Sequence, residues 1–347
     1  MSIIDKPSDY FNTILYTGNG STQSITGVGF QPDWVWIKGR SVAYSHILHD
    51  SVRTATKELK SNSTGAEGTD ANGLTSFNSD GFSLGTGGAV NNNGTTYSSW
   101  NWKAGTSFTN DASATGIGTI DSTGSVNTDA GFSIISYTGN ATAGATVAHG
   151  LGVKPSFYIL KSRNTANTWY TYHKNVGATK TVPLNTTDGE LSTSYANSTE
   201  PTSSVFSLGS AAAFNGSGDT FIAYCFAEKQ GYSKFGSYTG NGNADGPFVY
   251  TGFKPSWLSL KRTDSTSQWK ILDNKRLGYN PSNSDLYADS SEVENTVTQI
   301  DFLSNGFKIK HSSTALNASG GTYIYMAFAE QPFTTSTTNG SIPATAR

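Results

Sequence analysis

Residues capable of acid–base chemistry are sparse in this chain of 347 residues, which contains five histidines. The most suggestive pair is His49 followed directly by Asp50, since an imidazole and a carboxylate can exchange protons. Neighbouring residues on a strand point to opposite faces, however, so adjacency does not make them partners. The matching positions in two later, similar segments are His173-Lys174 and Asp273-Asn274, so the pair does not recur. We therefore favour a structural or loop role for His49 and Asp50.

Nucleophilic catalysis would need an activated side chain, and the chain has one cysteine, Cys225. It lies in an apolar run, where a free cysteine usually acts as a small buried hydrophobe. No Gly-x-Ser-x-Gly motif stands between a strand and a helix, as a serine nucleophile elbow requires. A single cysteine also excludes a disulfide framework and cysteine-built zinc sites. The chain therefore carries no nucleophile signature.

Carboxylates could serve a glycosidase, which places two of them across the sugar bond. The candidate acids are Glu67, Asp70, Asp80, Asp289, Glu292, Glu294 and Asp301. The densest group lies in residues 289–294, which we interpret as a solvated loop. Calcium prefers oxygen ligands in flexible loops, so a calcium site is the alternative there. The chain has no EF-hand pattern, and we expect no cofactor, with calcium left open.

Tryptophans are the side chains with the most ambiguous role. Aromatic rings stack on sugar faces, yet the same rings fill the cores of β-proteins. Two alternating pairs share strand faces, which favours core packing: Trp34 with Trp36, and Trp100 with Trp102. Two others begin loop-side runs, which makes them better candidates for contact with a partner. The predicted partner or glycan surface consists of Trp169, Tyr172, Trp269 and Asp273.

The composition excludes several classes of protein. With 25 acidic and 23 basic residues the formal net charge is −2, so the basic excess of a nucleic-acid binder is missing. No run approaches the ~20 apolar residues of a membrane helix. Aromatic residues make up 12% of the chain, which argues against disorder. Strand-forming residues alternate between clusters of Gly, Asn and Ser, a pattern typical of an all-β protein.

Three sets of matching landmarks divide the chain. The motif Tyr-Thr-Gly-Asn occurs at residues 16–19, 137–140 and 238–241. A proline and an apolar run ending in lysine follow, at residues 32–38, 155–161 and 255–261. Each set closes with an aromatic run, at residues 97–104, 221–228 and 323–330. Landmarks that recur in one order predict three copies of one unit.

The size of the unit, ~100 residues, suits one two-layer β domain. We therefore predict an all-β fold of three tandem antiparallel β-sandwich repeats of the jelly-roll or concanavalin-like type. The predicted boundaries are 8–104, 131–229 and 230–333 for the repeats, 105–130 for a linker or inserted hairpin, and 334–347 for an extended tail. Within the insert, residues 116–120 and 124–126 are the predicted strands, around a turn at 121–123. The three repeats are called segments 1, 2 and 3 below.

Several motifs carry a family resemblance. They are Gly-Phe-Gln-Pro-Asp-Trp-Val-Trp-Ile-Lys at 29–38, His-Asp-Ser-Val-Arg at 49–53, Ser-Asp-Gly-Phe-Ser-Leu-Gly at 79–85 and Trp-Asn-Trp-Lys-Ala at 100–104. They resemble a repeat of virion structural proteins from marine tailed bacteriophages, over about residues 8–333. Segment 2 departs most, since it has neither the Asp of His-Asp-Ser nor the Ser-Asp-Gly-Phe turn. The resemblance implies concanavalin-like β-sandwich units in tail fibres, receptor-binding proteins or decorations, and brings no catalytic residues.

The expected function is that of a non-enzymatic structural protein at the surface of a phage particle. A lectin-like adhesin for host-surface glycans is the alternative, and a polysaccharide-degrading enzyme is a weaker one. The expected partners are other virion proteins and a host glycan, without nucleic acid or membrane. The expected location is the virion, assembled in the host cytoplasm. Fibre symmetry favours a homo-oligomer, with a trimer as one arrangement, although the chain has no coiled-coil heptads to enforce it.

Overall fold

Antiparallel strands are the main regular elements of the described chain. The computed structural model describes residues 4–277 and 280–334. Within these residues the helical elements are a 3-10 turn at Pro7–Asp9 and four helices of one turn each. Strands form because β-branched and aromatic residues alternate between glycine- and asparagine-rich turns. The all-β prediction is confirmed.

Segment 1 contains two sheets and a short hairpin. Its elements are β1 (Phe11–Thr17), β2 (Gln23–Thr26), β3 (Trp34–Gly39), β4 (Ile47–Asp50), β5 (Lys57–Glu58), β6 (Gly68–Thr69), β7 (Leu74–Asn78), β8 (Gly81–Leu84), α1 (Gly88–Asn91) and β9 (Thr96–Trp102). One sheet has the strand order β1-β9-β3-β4, and the other has the order β2-β8-β7. Strands β5 and β6 pair with each other.

Residues 105–130 form a hairpin and not a linker. The elements are β10 (Thr106–Asn110), α2 (Ala112–Thr115) and β11 (Ser122–Asn127). The two strands pair antiparallel, and β11 pairs on into segment 2. The predicted strand at 116–120 and turn at 121–123 are wrong. Asp111 instead caps α2, accepting the backbone N–H groups of Ser113 and Ala114, so the turn falls earlier than predicted.

Segment 2 repeats the arrangement with a wider sheet. Its elements are β12 (Phe132–Thr138), β13 (Ala145–Ala148), β14 (Phe157–Ser162), β15 (Tyr170–His173), β16 (Lys180–Thr181), β17 (Leu191–Ser192), β18 (Val205–Leu208), α3 (Ala212–Asn215) and β19 (Thr220–Phe226). The hairpin extends the main sheet, which has the order β10-β11-β12-β19-β14-β15. The smaller sheets are β13-β18 and β16-β17.

Segment 3 joins its strands into one eight-stranded sheet. Its elements are β20 (Ser233–Thr239), β21 (Phe248–Tyr250), β22 (Phe253–Arg262), β23 (Lys270–Asp273), β24 (Ser282–Tyr287), β25 (Asn295–Leu303), β26 (Gly306–Ile309), α4 (Thr314–Asn317) and β27 (Thr322–Pro332). The order is β20-β27-β22-β23-β24-β25-β26-β21. The predicted tail, 334–347, lies outside the described residues from 335 onward.

The same strand order and register recur in the three segments. The closing strand is central each time, in β1-β9-β3-β4, β12-β19-β14-β15 and β20-β27-β22-β23. An aromatic residue near the end of the closing strand lies opposite an aromatic residue of the proline-led strand in every segment. The pairs are Trp102 and Trp34, Phe226 and Phe157, and Phe328 and Trp257. The prediction that 221–228 is a central strand, covered on both faces, is confirmed for β19, in which Phe221–Phe226 are all buried.

The Tyr-Thr-Gly-Asn motif forms the same hydrogen bonds in all three segments. The tyrosine hydroxyl donates to a backbone oxygen at 2.8 Å in all three segments, with the pairs Tyr16 and Val90, Tyr137 and Phe214, and Tyr238 and Leu316. The asparagine N–H donates to a buried asparagine of the one-turn helix, in the pairs Asn19 and Asn91, Asn140 and Asn215, and Asn241 and Asn317. Glycine is required because a Cβ at 18, 139 or 240 would lie within 2.4 Å of a backbone oxygen. The motif therefore fixes the conformation of a loop.

Buried apolar residues form one core in each segment and a fourth core between them. Ile37, Tyr158 and Leu258 belong to the three separate cores. The shared core takes the opposite faces of the main sheets, including Trp34, Phe157 and Trp257. Because both faces of these sheets are covered, their strands carry apolar residues at successive positions. The prediction that Trp34, Trp36, Trp100 and Trp102 are core residues is confirmed.

Candidate functional site

The residues predicted to form a partner surface are buried. Trp169 and Tyr172 have 0% of their area exposed, Trp269 has 3% and Asp273 has 1%. The prediction of an exposed surface at these four residues is therefore wrong. Trp169, Trp269 and Asp273 lie where the segments pack against one another. Tyr172 is instead part of the separate core of segment 2, and its hydroxyl donates to Glu200 of the same segment.

Both loop-side tryptophans bind the backbone of a neighbouring segment. The indole N–H of Trp169 donates to the carbonyl oxygens of Lys60 and Ser63 in segment 1, each at 3.0 Å. That of Trp269 donates to the oxygen of Pro183 in segment 2 at 2.8 Å. A buried indole N–H needs such an acceptor, so these rings fix how adjacent segments dock.

Asp273 belongs to a buried ionic network between segments 3 and 1. Its carboxylate accepts from Arg276 Nε at 2.7 Å and from the indole of Trp100 at 3.0 Å. Arg276 also reaches Glu294 at 3.2 Å, and Glu294 accepts two bonds from Arg40, both at 2.9 Å. Burial opposes ionisation of Glu294, but the two arginines hold its pKa below the ordinary value. We call this group network 3–1.

A matching network joins segments 1 and 2. Asp50 accepts from Arg53 Nε at 2.5 Å and from the hydroxyl of Tyr224 at 2.6 Å. Arg53 reaches Glu67 at 3.4 Å, and Glu67 accepts from Arg163 at 2.9 and 3.1 Å. We call this group network 1–2. Each residue matches one of network 3–1 by its place in the repeat, with Tyr224 standing where Trp100 stands.

The contact between segments 2 and 3 has the same backbone hydrogen bond as the other two contacts. Among its described residues, however, no such ionic network forms. The N–H of Glu190 donates to the oxygen of Thr263 at 2.7 Å, as Glu67 does to Arg163 and Glu294 to Arg40. The register corrects the alignment made from the sequence, because His173, and not Lys174, lies where the other two segments have the aspartate. Met326 replaces the aromatic donor. His173 Nε2 lies 3.3 Å from the backbone oxygen of Tyr325, and burial lowers the pKa of His173 to about 4. The imidazole is therefore neutral at pH 7.

Three buried lysines occupy the end of the proline-led strand. Burial lowers the pKa of Lys38, Lys161 and Lys261 to about 8. Their ammonium groups donate to backbone carbonyls, as Lys161 does to Thr64 of segment 1 at 2.9 Å. Burial disfavours the charged ammonium, and for Lys261 it outweighs the opposing effect of the nearby carboxylates Asp289 and Asp188. Lys161 and Lys38, which donates to Ser291 of segment 3 at 3.2 Å, therefore join neighbouring segments, whereas Lys261 donates to Ser267 within segment 3.

The candidate catalytic groups are separate and bound within the fold. His49 Nδ1 lies 3.0 Å from the oxygen of Lys57, whereas Asp50 binds Arg53, so the adjacent pair forms no proton relay. Burial lowers the pKa of His49 to about 4. Cys225 is fully buried, and burial raises the pKa of its thiol, in agreement with the predicted core role.

Four of the predicted carboxylates also form hydrogen bonds or ion pairs within the fold. Glu67 and Glu294 hold arginines, and Asp80 accepts the N–H groups of Gly27 and Gly29 at 3.0 and 2.6 Å. Asp289 accepts the N–H of Trp269 at 2.8 Å, and burial raises the pKa of Asp289 to about 6. Among residues 4–277 and 280–334, no group of three or more His, Cys, Asp or Glu is placed to hold a metal ion. No helix in that part of the chain is long and apolar enough to span a membrane.

An exposed aromatic surface lies on strand β21 of segment 3. Tyr250 has 58% of its area exposed and Phe248 has 46%, while Val249 between them is buried. The alternation turns both rings outward on the edge strand of the eight-stranded sheet. We call these two side chains the β21 platform. The period-two run Phe-Val-Tyr between Pro247 and Gly252 is the sequence signal that could have identified it.

A cavity of about 320 Å³ adjoins the β21 platform. It is lined by Tyr250 and Phe333 together with polar residues of the junction between segments 2 and 3, among them Glu228, Lys229 and Lys234. Glu228 accepts from Lys174 at 2.5 Å and lies 3.7 Å from Lys234. An open cavity of this volume with one exposed ring and several charged groups is suited to a polar ligand.

Fold and contacts define an all-β protein whose three segments each pack against the other two. A family model described as a domain of unknown function (DUF7483) matches residues 6–332, and the chain belongs to this family. No curated protein and no solved structure matches the chain.

Proposed function

We propose that the protein is a non-enzymatic structural component at the surface of a bacteriophage particle, as a tail fibre, receptor-binding or decoration protein. The resemblance of residues 8–333 to phage virion repeats supports this proposal. The observation that carries it is that each segment contacts the other two, through contacts 1–2, 2–3 and 3–1. The polar side chains that could do chemistry form hydrogen bonds across these contacts instead. A rigid body of this kind is suited to assembly.

We further propose that each segment is a β-sandwich unit of the jelly-roll or concanavalin-like type. Support comes from the separate core that each segment has between its own strands. The eight-stranded sheet of segment 3 is continuous, because β23 pairs with β24. In this view the third unit is a sandwich whose two layers are connected along one edge.

The particle role is tested by finding the protein in virions. Mass spectrometry of purified particles should detect the chain, and electron microscopy with a bound antibody should place it at the particle surface. Its absence from purified particles would overturn the proposal. Sedimentation of the purified chain tests the predicted homo-oligomer. New reducing ends after incubation with host polysaccharide would contradict the non-enzymatic assignment.

Glycan binding is the second candidate function, and the β21 platform favours it. Exposed aromatic rings next to a polar cavity match the way proteins hold sugars, by stacking on an apolar sugar face and bonding the hydroxyls. A glycan array with the wild type and Tyr250→Ala tests this function. Binding that Tyr250→Ala removes supports it, and no binding at millimolar sugar rejects it.

A further inference from the structure

We infer that the β21 platform and its cavity bind an anionic saccharide, one bearing carboxylate or sulfate groups, and not a neutral one. This inference rests on the glycan-binding function proposed above. It adds the chemical class of the ligand, which follows from the charged side chains around the cavity.

The charges beside the cavity are mainly positive. Glu228 is its one acidic lining residue, and the carboxylate is already bound by Lys174 at 2.5 Å and by the N–H of Phe235 at 2.9 Å. Lys234 lies farther away, at 3.7 Å, and Lys229 forms no ion pair with any described residue. The charged lining residues are Lys229, Lys234 and Glu228, so two lysines and one carboxylate leave the lining with a net charge of +1. An anionic group would therefore find compensation here that a neutral sugar cannot use.

The aromatic rings add a contact that a simple anion would not need. Tyr250 and Phe248 stand on one face of the strand, roughly 7 Å apart along it, since each residue of a strand advances the chain by about half that distance. This spacing lets consecutive sugar rings lie along the strand. A ligand with both apolar ring faces and negative charge meets the platform and the lysines together, which favours an acidic saccharide over an inorganic anion.

The matching edges of the other two segments do not offer the same surface. In segment 2 the corresponding strand β13 is covered, because the N–H groups of Thr119 and Ile120 donate to the oxygen of Thr146. In segment 1 the outward residues of β2 are small, Ser24 and Thr26. Neither edge has an exposed aromatic side chain. The inference therefore predicts one saccharide site per chain, in segment 3.

Isothermal titration of the full chain with two oligosaccharides of equal length tests the inference. The probes are a galacturonate hexamer, which is anionic, and cellohexaose, which is neutral. We expect the galacturonate to bind, with affinity that falls between about 0.05 M and about 0.5 M salt. Tyr250→Ala should weaken binding about tenfold or more through lost stacking. Lys234→Ala should weaken it roughly twofold to fivefold, as expected for a partly exposed charge contact.

Two matched controls lie in strands β16 and β17 of segment 2, outside the lining of the cavity. Lys180→Ala removes a surface lysine paired with Glu190, and Leu191→Ala removes an exposed apolar side chain. Both should leave the affinity unchanged. If they weaken binding as much as Lys234→Ala and Tyr250→Ala do, the site is elsewhere and the inference is overturned.

The failure of this inference can be distinguished from the failure of glycan binding. Equal binding of both probes, insensitive to Lys234→Ala but lost in Tyr250→Ala, would reject the anionic class and keep the glycan-binding function. Binding of neither probe, together with a blank array that includes sulfated glycans, would reject both. Binding of inorganic sulfate as tightly as of the oligosaccharide would show an anion site with no saccharide preference, which also overturns the inference.

Discussion

Two contacts between segments are built around buried charges, and the third is neutral. In networks 1–2 and 3–1 an aspartate, an arginine and an aromatic donor meet, whereas contact 2–3 has His173, Val176 and Met326 at the matching positions. The three positions differ together, because a lone arginine or aspartate left there would be a buried, unpaired charge. At these three positions the set is therefore ionic in two contacts and uncharged in the third.

The neutral contact shows that the charges are not needed to hold segments together. All three contacts share the same backbone hydrogen bond, and aromatic packing continues across contact 2–3, where the rings of Phe226 and Phe328 lie 5.8 Å apart. Apolar packing and main-chain bonds are therefore the common cause of association. The ionic networks instead make each contact specific, since a segment with an aspartate and an arginine fits only a partner with the aromatic donor.

The largest expected effect comes from breaking one ionic network. Arg53→Ala leaves Asp50 buried without its main partner, which should cost about 3–5 kcal/mol of the free energy of unfolding. Urea denaturation followed by tryptophan fluorescence measures this loss. The matched control is Val176→Ala in the neutral contact, which should cost about 1 kcal/mol. Equal losses for the two variants would contradict the comparison.

A smaller, pH-dependent effect should come from the neutral contact. The pKa of His173 is about 4 in the folded chain and 6.5 without burial, so the unfolded chain binds the proton more tightly. Its contribution to stability is complete above pH 6.5 and is lost as the pH falls toward 4. His173→Gln should therefore reduce the change in the free energy of unfolding between these pH values by about 3 kcal/mol, measured by urea denaturation at each pH.

The remaining acid dependence after His173→Gln has a known origin. Burial also lowers the pKa of His49 and His149 to about 4, so both histidines destabilise the fold in the same pH range. The variant should thus reduce the dependence without removing it. A midpoint profile identical to that of the wild type would show that His173 is not neutral in the contact.

The smallest expected effect comes from the carboxylate of Asp289, which lies beside contact 2–3. Asp289 accepts the N–H of Trp269, where Asn62 and Asn185 serve His46 and Trp169 in the other segments. Burial raises the pKa of Asp289 from 3.8 to about 6, so its favourable contribution exists at low pH and is lost as the pH rises through 6. Asp289→Asn should stabilise the protein by on the order of 1 kcal/mol at pH 7. The gain should vanish below pH 4, and an unchanged midpoint at pH 7 would contradict this account.

The strands and the repeated landmarks could be predicted from the sequence because they depend on local pattern. Apolar runs such as Phe221–Phe226 identify a central strand without knowledge of its neighbours. The core role of Cys225 followed from the same run. The insert was harder, since a capping aspartate at Asp111 moved the turn away from the glycine-rich stretch where composition placed it.

The site residues could not be predicted, because exposure depends on which segment lies beside which. Trp169 directly precedes strand β15 after a polar loop, and its indole N–H is bound by carbonyl oxygens of segment 1. The exposed pair on β21 has a weak local signal, and a covered strand such as β13 would show a similar alternation. Exposure at the two edges differs because residues 119 and 120 cover only one of them.

The sequence by itself determined the all-β class, the three sets of landmarks and the aromatic cores, since alternation and turn residues act over a few positions. The tertiary structure decided how the segments meet. Tyr224 and Asp50 are 174 residues apart, and Trp100 and Asp273 are 173 apart, yet each pair shares a buried hydrogen bond. No local pattern encodes such a pair, because its two members lie on different segments and meet only when those segments pack together. The same packing that buried the predicted surface left Tyr250 exposed.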